Sequence, residues 1–328
     1  MKILVLNNKE VRELLSMRDC VSVMTDALVS LSNDKVHQPL RMTLSPPGAE
    51  GTMRLMPAFM SGDHSGYGLK VICNFPGNVI KGKDLHQGVV LLFNATTGEP
   101  LAILNASEIT AIRTAAVSAV ATKALAREEA AILAVIGSGV QARSHLEAIS
   151  CVRTLTHVRV ASRNIQHARR FAEEMDGLYP FPIEAVNSVE IAVRGAQLIV
   201  TATTTAKPII RRIWISPGTH LNLVGSSTPT AREVDTATIA ESSLFVDRRE
   251  SLLNEAGDYI IASREGAIGP DHIRGEIGDV LSGKTPGRTT DREITLFKSL
   301  GLAVEDLAAA EYVYRNAVKI RIGNWVEF

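Results

Sequence analysis

An unbroken apolar run, Ala131-Ile132-Leu133-Ala134-Val135-Ile136, leads straight into Gly137-Ser138-Gly139-Val140-Gln141-Ala142 and then into a helical pattern. Each residue type in that G-x-G-x-x-A string has a chemical use. Gly137 permits a tight turn after the strand, Gly139 lets backbone approach a pyrophosphate, and Ala142 lets the helix lie close to the strand. The helix start, with Val140 and Gln141, then offers unpaired N–H groups and a positive dipole end to phosphate oxygens. The alternative is a glycine turn in an α/β domain that binds no nucleotide.

Further along, a second strand pattern ends at Ala161-Ser162-Arg163-Asn164. A site that selects NAD carries an acidic residue there to accept from the ribose 2′-hydroxyl. This chain offers a hydroxyl and a guanidinium instead, and Arg163 can pair with a 2′-phosphate and stack over it. The expected cofactor is therefore NADP(H), against the plainer reading of Arg163 as a solvated loop cation.

These residues need a scaffold. From residue 131 onward strands and helices alternate at short intervals, with strands expected at 131–136, 158–162, 197–202, 220–224 and 244–247. The first is apolar throughout, as a central parallel strand covered on both faces is. Upstream, residues 9–32 read as one or two helices, with Asp19 as a candidate N-cap. Runs at 52–59, 68–75, 88–93 and 100–104 lie between Gly, Pro, Asn and Asp and read as an antiparallel meander, with a tight turn at Thr97-Gly98. Ser107 is a candidate cap for a small-residue helix reaching about Ala126, and residues 302–317 read as an amphipathic helix. The expected fold is α/β: a Rossmann doubly wound sheet plus a second α+β domain with a mainly antiparallel sheet.

The 35 basic and 35 acidic residues give a formal net charge of +0, so no general affinity for nucleic acid or an anionic membrane is expected. Basic side chains must act singly, at a site. Three scattered cysteines, Cys20, Cys73 and Cys151, form no CxxC pair. That suits a reducing compartment and argues against a zinc or disulfide framework. The histidines show no metal-binding spacing, so no metal is expected. No run approaches the ~20 apolar residues of a membrane span, and the apolar run at residues 1–10 is short for a signal peptide. The expected location is the cytoplasm.

Several strings in a fixed order carry a family resemblance: Arg41, Leu55-Met56-Pro57-Ala58, Gly68-Leu69-Lys70-Val71, Phe75-Pro76-Gly77-Asn78, His86-Gln87-Gly88, residues 110–119 around Arg113-Thr114, the glycine turn, residues 224–229, and residues 295–301. From about residue 36 to 317 the chain resembles the ornithine cyclodeaminase/mu-crystallin family. The resemblance implies a substrate-binding and dimerisation domain from residues 1–112 plus 302–328, a Rossmann domain from 113–301, and a homodimer. It also implies hydride exchange between a nicotinamide and the α-carbon of a small amino or imino acid.

Carried onto this chain, Arg41, Lys70 and Arg113 hold the substrate carboxylate and form the catalytic set, with Arg54, Met56 and Ser227 lining the substrate. A guanidinium grips a carboxylate bidentately, and a lysine desolvated in the apolar run around residue 70 has a lowered pKa and can exchange a proton with the substrate nitrogen. Alternation alone equally allows Lys70 to face outward. The cofactor set becomes His86, Arg113, Thr114, Gly137, Gly139, Val140, Gln141, Ser162, Arg163, Asn164, Thr203, Val224, Ser226 and Lys298. Two positions depart from the cyclodeaminases, which carry an aspartate at Ser227 and a glutamate at Arg54. A cation at residue 54 repels the distal ammonium of ornithine. The expected reaction is NADPH-dependent reduction of a cyclic or N-substituted imino acid. The rivals are an amino-acid dehydrogenase, an ornithine cyclodeaminase, and a crystallin-like binding protein without turnover.

Overall fold

The computed structural model describes residues 1–62 and 64–328. In chain order the first half contributes β1 (Lys2–Leu6), α1 (Asn8–Leu14), α2 (Met17–Ser32), β2 (Val36–His37), β3 (Met42–Leu44), β4 (Thr52–Met60), β5 (Gly66–Asn74), β6 (His86–Asn94), β7 (Pro100–Asn105) and α3 (Ala106–Leu125). Then come β8 (Ile132–Ile136), α4 (Val140–Val152), β9 (His157–Ala161), α5 (Ile165–Met175), β10 (Ile183–Ala185), α6 (Val189–Val193), β11 (Leu198–Thr201), β12 (His220–Leu223), α7 (Thr236–Ala240), β13 (Ser243–Val246), α8 (Arg249–Glu255), α9 (Gly257–Arg264), β14 (Ile273–Glu276), α10 (Ile277–Leu281) and β15 (Thr295–Lys298). The chain closes with α11 (Ala303–Ile320) and β16 (Asn324–Glu327). Two compact units result: Met1–Arg113 with Gly301–Phe328, and Thr114–Leu300.

The first unit is built on an eight-stranded sheet in the order β16-β1-β7-β6-β5-β4-β2, with β3 also paired to β4. β4 to β7 form an antiparallel meander, and only β1 runs parallel to its neighbour β7. The turn between β6 and β7 is closed by Asn94, whose Oδ1 accepts from Thr96 N and Thr97 N, while Gly98 takes a left-handed φ of 72°. One sheet face is covered by α11, which packs on β4, β5 and β6 and against α2. The first eight residues of α11 are buried all round, so this helix is a core element at its start and amphipathic only further on.

Two expected helix caps are corrected. Ser16, not Asp19, caps α2: Ser16 Oγ accepts from Asp19 N at 3.1 Å and donates to Asp19 Oδ2 at 2.6 Å. Asp19 lies in the first turn, where a carboxylate suits the helix dipole. For α3 the capping acceptor is Asn105, whose Oδ1 takes the Glu108 N–H at 2.9 Å. Ser107 is already inside the helix and donates to His86 O at 2.5 Å. In both cases a polar residue inside the first turn resembles a cap because caps and first turns favour the same side chains.

In the second unit all eight strands run parallel, in the order β10-β9-β8-β11-β12-β15-β13-β14. The chain leaves β8 in one direction through β9 and β10 and then returns to β11 on the other side, so the topological switch lies between β8 and β11. β8 is apolar throughout because both of its faces are buried: Leu133 and Val135 join the core under α4 and α5, Ala134 and Ile136 the core on the opposite face. β10, β14 and β15, which periodicity alone did not mark, extend the sheet. No helix among the described residues is long and apolar enough to cross a membrane.

Strand ends near the switch are tied together by Glu233, which is fully buried. Its Oε2 accepts from Thr201 Oγ1 at 2.7 Å and Gly225 N at 2.8 Å, and its Oε1 from Thr203 N at 3.1 Å and Thr203 Oγ1 at 2.7 Å. Asp258 Oδ1 in turn accepts the Glu233 N–H at 2.7 Å. Replacing Glu233 by Ala strands these buried donors. A chemical-denaturation comparison is expected to show a loss on the order of 3 kcal/mol, and a loss under half that size would disprove the anchoring role.

Candidate functional site

In the first unit, β5 carries Lys70 on the face that α11 covers. Register places Lys70 opposite Met56 on β4 and Val90 on β6, both buried, so the alternation puts Lys70 inside rather than outside. Its side chain is 2% exposed. A bare ammonium there is costly, and the fold answers with a carboxylate: Lys70 Nζ donates to Asp306 Oδ1 at 2.9 Å. The same oxygen accepts from Arg113 Nε at 3.1 Å, and Arg113 Nη1 donates to Glu305 Oε2 at 2.5 Å. Two cations from β5 and α3 thus meet two consecutive carboxylates in the first turn of α11.

Arg41 belongs to the same constellation. Its Nη2 donates to Gly301 O at 2.9 Å. Gly301 has φ of 81°, and a Cβ on it would come within 2.5 Å of Arg113 Nη1, so only glycine lets the turn into α11 pass under the Arg113 guanidinium. Arg54 lies on the Met56 face of β4, opposite Ile72 on β5.

The electrostatics agree with this convergence. Burial pulls the Lys70 ammonium down to about 8, with Asp306 resisting and Arg113 and Arg41 adding to the fall. Burial would also lower Arg113, but Asp306 and Glu305 more than offset it and hold the guanidinium firmly charged. His86, at the start of β6, is driven down to about 4 by burial and then by Lys70, Arg54 and Arg113. It is neutral at physiological pH and can donate or accept a hydrogen bond.

Asp306 and Glu305 are absent from the sequence-derived set. Their trace was two adjacent acids in an otherwise apolar helical stretch, Ala303 to Ala310, where amphipathic spacing would leave at most one of them facing water.

In the second unit the turn after β8 is shaped for phosphate. Gly137 has φ of 119°, and a Cβ there would lie 2.4 Å from Ala202 O, at the end of β11. The fold itself demands this glycine. At Gly139 a Cβ would meet nothing within 4 Å. Its identity has no cause inside the protein, and close approach of a ligand supplies one. Gly139 also caps α4 without a side-chain hydrogen bond, leaving the first N–H groups of a 13-residue helix to an anion. The residues present therefore fit a dinucleotide pyrophosphate.

The remaining expected contacts are distributed as follows. Ser162 Oγ accepts from Ser138 Oγ at 3.1 Å, joining the end of β9 to the glycine turn. Arg163 is exposed, and Asn164 spends its side chain capping α5 through Gln166 N. Thr203 is held by Glu233, Val224 N donates to Thr201 O at 3.0 Å, and Ser226 Oγ donates to Ala231 O at 2.5 Å. Ser227 is half-buried. Thr114 is buried in α3 with its hydroxyl unpaired among the described residues. Lys298 is 1% exposed and its Nζ lies 3.1 Å from Asp258 Oδ2, so its ammonium braces the core.

The switch-point turn and the strand order of the second unit define the class of that unit, a dinucleotide-binding domain. Residues 1–320 match the model of the ornithine cyclodeaminase/mu-crystallin family, and the chain belongs to that family. A Delta(1)-pyrroline-2-carboxylate reductase of Bacillus cereus is 36% identical over 326 residues, covering 99% of this chain and 100% of the relative. The structure of Thermococcus litoralis Delta(1)-pyrroline-2-carboxylate reductase in complex with NADH and L-proline superposes with a TM-score of 0.95 at 38% identity, covering 98% and 99% of the two chains. An archaeal alanine dehydrogenase dimer with bound NAD gives a TM-score of 0.94 at 31% identity, with full coverage of both chains.

The two glycines make a paired test. Gly139→Ala is expected to leave the melting temperature nearly unchanged and to weaken dinucleotide binding at least about tenfold, equivalent to ~1.4 kcal/mol, by titration of the cofactor's fluorescence. Gly137→Ala is expected to lower the melting temperature itself. Equal cofactor affinity in Gly139→Ala and the unmodified protein would rule out the pyrophosphate assignment.

Proposed function

We propose that the protein reduces a cyclic or N-substituted imino acid, of which pyrroline-2-carboxylate is the type, to the corresponding amino acid with NADPH. The observation that carries this reading is Lys70: a buried, ion-paired ammonium titrating near 8, on a strand shared with no other charged residue among the described ones. Relatives of about 36–38% identity named as pyrroline-2-carboxylate reductases support the substrate class.

The chain's own residues would divide the work. The glycine turn, Val140 and Gln141 would hold the pyrophosphate, and Ser162 and Arg163 the adenosine ribose side; Asn164, engaged in its cap, would contribute backbone. A bound nicotinamide supplies a hydride to the imine carbon. Arg41 and Arg113 would grip the α-carboxylate and hold the C=N plane, since a fixed guanidinium orients a planar anion. Lys70 would pass a proton from Nζ to the substrate nitrogen. His86, Thr114, Thr203, Val224 and Ser226 would line the cofactor; Lys298 would act through Asp258 by bracing the strand ends.

Arg54 and Ser227 weigh against ornithine as substrate. An arginine at residue 54 repels a distal ammonium, and Ser227 provides no carboxylate to receive it. A dehydrogenase running in the oxidative direction has the support of the alanine dehydrogenase likeness. Comparing turnover with pyrroline-2-carboxylate, with pyruvate plus ammonia and with ornithine separates the three. Imine reduction fastest by a wide margin is expected, and proline formation from ornithine at a comparable rate would overturn the proposal.

For the cofactor, the proposal is a preference for NADPH. The Thermococcus litoralis structure contains NADH, so the argument rests on this chain's exposed Arg163 and the absence of an acid after β9. Arg163→Asp removes a charged hydrogen bond worth about 1.5–3 kcal/mol and is expected to cut kcat/KM for NADPH by an order of magnitude or more. An unmodified protein equally efficient with NADH would refute the preference. A homodimer paired through the first unit is also proposed, and light scattering at micromolar concentration that gives a monomer would exclude it.

The Lys70 titration sets a pH signature. Reduction needs the protonated amine and the reverse oxidation the neutral one, so kcat/KM for reduction is expected to fall as pH rises through about 8, while that for amine oxidation rises over the same interval. Parallel pH profiles in the two directions would remove Lys70 from the proton path.

A further inference from the structure

Among the described buried carboxylates of this chain, Asp306 has an unusual set of partners. Asp258 Oδ1 accepts backbone N–H groups of Glu233 and Val234, Glu233 accepts two backbone N–H groups and two hydroxyls, and an oxygen of Asp247 accepts Leu300 N. Those acids tie chain segments together. Among the described residues Asp306 accepts no backbone N–H and no hydroxyl. Its Oδ1 is shared by Lys70 Nζ at 2.9 Å and Arg113 Nε at 3.1 Å, and its Oδ2 is buried without a hydrogen bond among the described residues. A fold gains little from such an arrangement, because apolar residues of equal volume fill the same space at no greater cost than a buried ionic cluster. Its presence on the stretch of α11 that is otherwise apolar calls for a chemical cause.

We propose that Asp306 is a positioning residue for the reaction: it fixes Lys70 Nζ in place beside Arg113 and keeps it protonated up to the pH range in which it must give its proton away. This inference rests on the reading of Lys70 as the proton donor. The balance of the step is simple. A bound nicotinamide would supply a hydride, and with it the electron pair of the new C–H bond, to the imine carbon. The C=N π pair moves onto nitrogen, and nitrogen takes a proton from Lys70 Nζ. Lys70 is left neutral beside Asp306 and regains a proton from solvent after product leaves. Asp306 keeps its charge throughout.

The charged and titratable groups around Lys70 are few. α11 presents Asp306 and Glu305, α3 presents Arg113, β6 presents His86 and β4 Arg54, and Arg41 approaches from the turn before β3. Cys20 of α2 lies beyond them, near Arg113 and Glu305. Of these, Asp306 is the group that holds the Lys70 proton on; Arg113 and Arg41 act to remove it. Asp306 is also the one carboxylate in hydrogen-bond contact with Lys70 among the described residues. Glu305 instead engages the far side of Arg113, so the two adjacent acids have separable duties.

The test reads Lys70 directly and through turnover. Lysine labelled with 13C at Cε is titrated by NMR in the full-length protein, the Lys70 resonance being assigned by its loss in Lys70→Arg, and the pH profile of kcat/KM for pyrroline-2-carboxylate reduction is recorded alongside. Asp306→Asn is expected to move the Lys70 midpoint down by about one unit or more, and the alkaline limb of the rate profile with it. Glu305→Gln is expected to move both much less. An unmoved Lys70 midpoint in Asp306→Asn overturns the proposal. A midpoint that moves while the rate limb stays in place instead overturns the reading of Lys70 as the donor and, with it, the duty given to Asp306. If Asp306→Asn does not fold, Asp306→Glu carries the same charge on a longer arm. It is expected to keep the midpoint and to lower kcat more than it alters KM, and an unchanged kcat there overturns the positioning role.

Discussion

The buried pairing of Lys70 and Arg113 with Asp306 and Glu305 constrains much of the first unit. An unpaired cation at either position is untenable in so dry an environment, so α11 must present its acids at that depth and β5 must present Lys70 on the covered face. The requirement fixes the register of β5 between β4 and β6, because a slip of one residue would turn Lys70 to the other side of the sheet. It also fixes the turn into α11, where Gly301 leaves room for the Arg113 guanidinium and lends its carbonyl to Arg41. Residues at positions 41, 70, 113 and 301–306 thereby become neighbours, although the whole second unit lies between positions 113 and 301 in the chain.

The second unit depends on a different constraint, the close passage of backbone at the switch between β8 and β11. Gly137 and the end of β11 approach so tightly that no side chain fits. Glu233 gathers the ends of β11 and β12 with hydrogen bonds that a loop of this kind would otherwise lack. Rigid strand ends and an uncapped helix start are what an anion-binding turn needs, since a preformed array of N–H groups does not have to be reorganised when phosphate arrives. Lys298 belongs to this support. Its side chain is 1% exposed and its Nζ lies 3.1 Å from Asp258 Oδ2.

Much of this was legible in the residues. The parallel strands β8, β11 and β13 announce themselves as largely apolar runs, β9 and β12 interleave polar residues such as Arg159 and Asn222 with apolar ones, and the meander β4 to β7 is punctuated by glycine, proline and asparagine. The strands β10, β14 and β15 were not legible: β10 has only three residues, and the four of β14 and of β15 include charged side chains that break the apolar pattern. Caps were misassigned at Asp19 and Ser107 because a side chain suited to capping is equally suited to the turn just inside. The largest omission, Asp306, has a physical reason as well. A family motif draws the eye to cations that could hold a carboxylate, whereas the acid that neutralises them lies almost two hundred residues beyond Arg113, and only the packing of α11 on β5 brings it there.

The charge balance of the cluster bears on how a substrate anion could be held. Lys70 and Arg113 are each matched by a carboxylate of α11, so within this quartet no net positive charge remains for an incoming carboxylate. On the proposed reading, the anion would be met by the guanidinium N–H groups of Arg113 that the acids do not occupy, together with Arg41 and Arg54, whose charges act on the same region. An arrangement of this type favours direction over strength. Cations already fixed by buried acids do not move when the substrate arrives, so their remaining donors keep one geometry, and the ordering cost is met during folding rather than at binding. A lysine free to swing toward the substrate carboxylate would bind it more tightly but would give up the position from which its proton can reach nitrogen. On the proposed reading, anchoring by Asp306 would resolve that conflict, leaving affinity mainly to the arginines and reserving Lys70 for the proton.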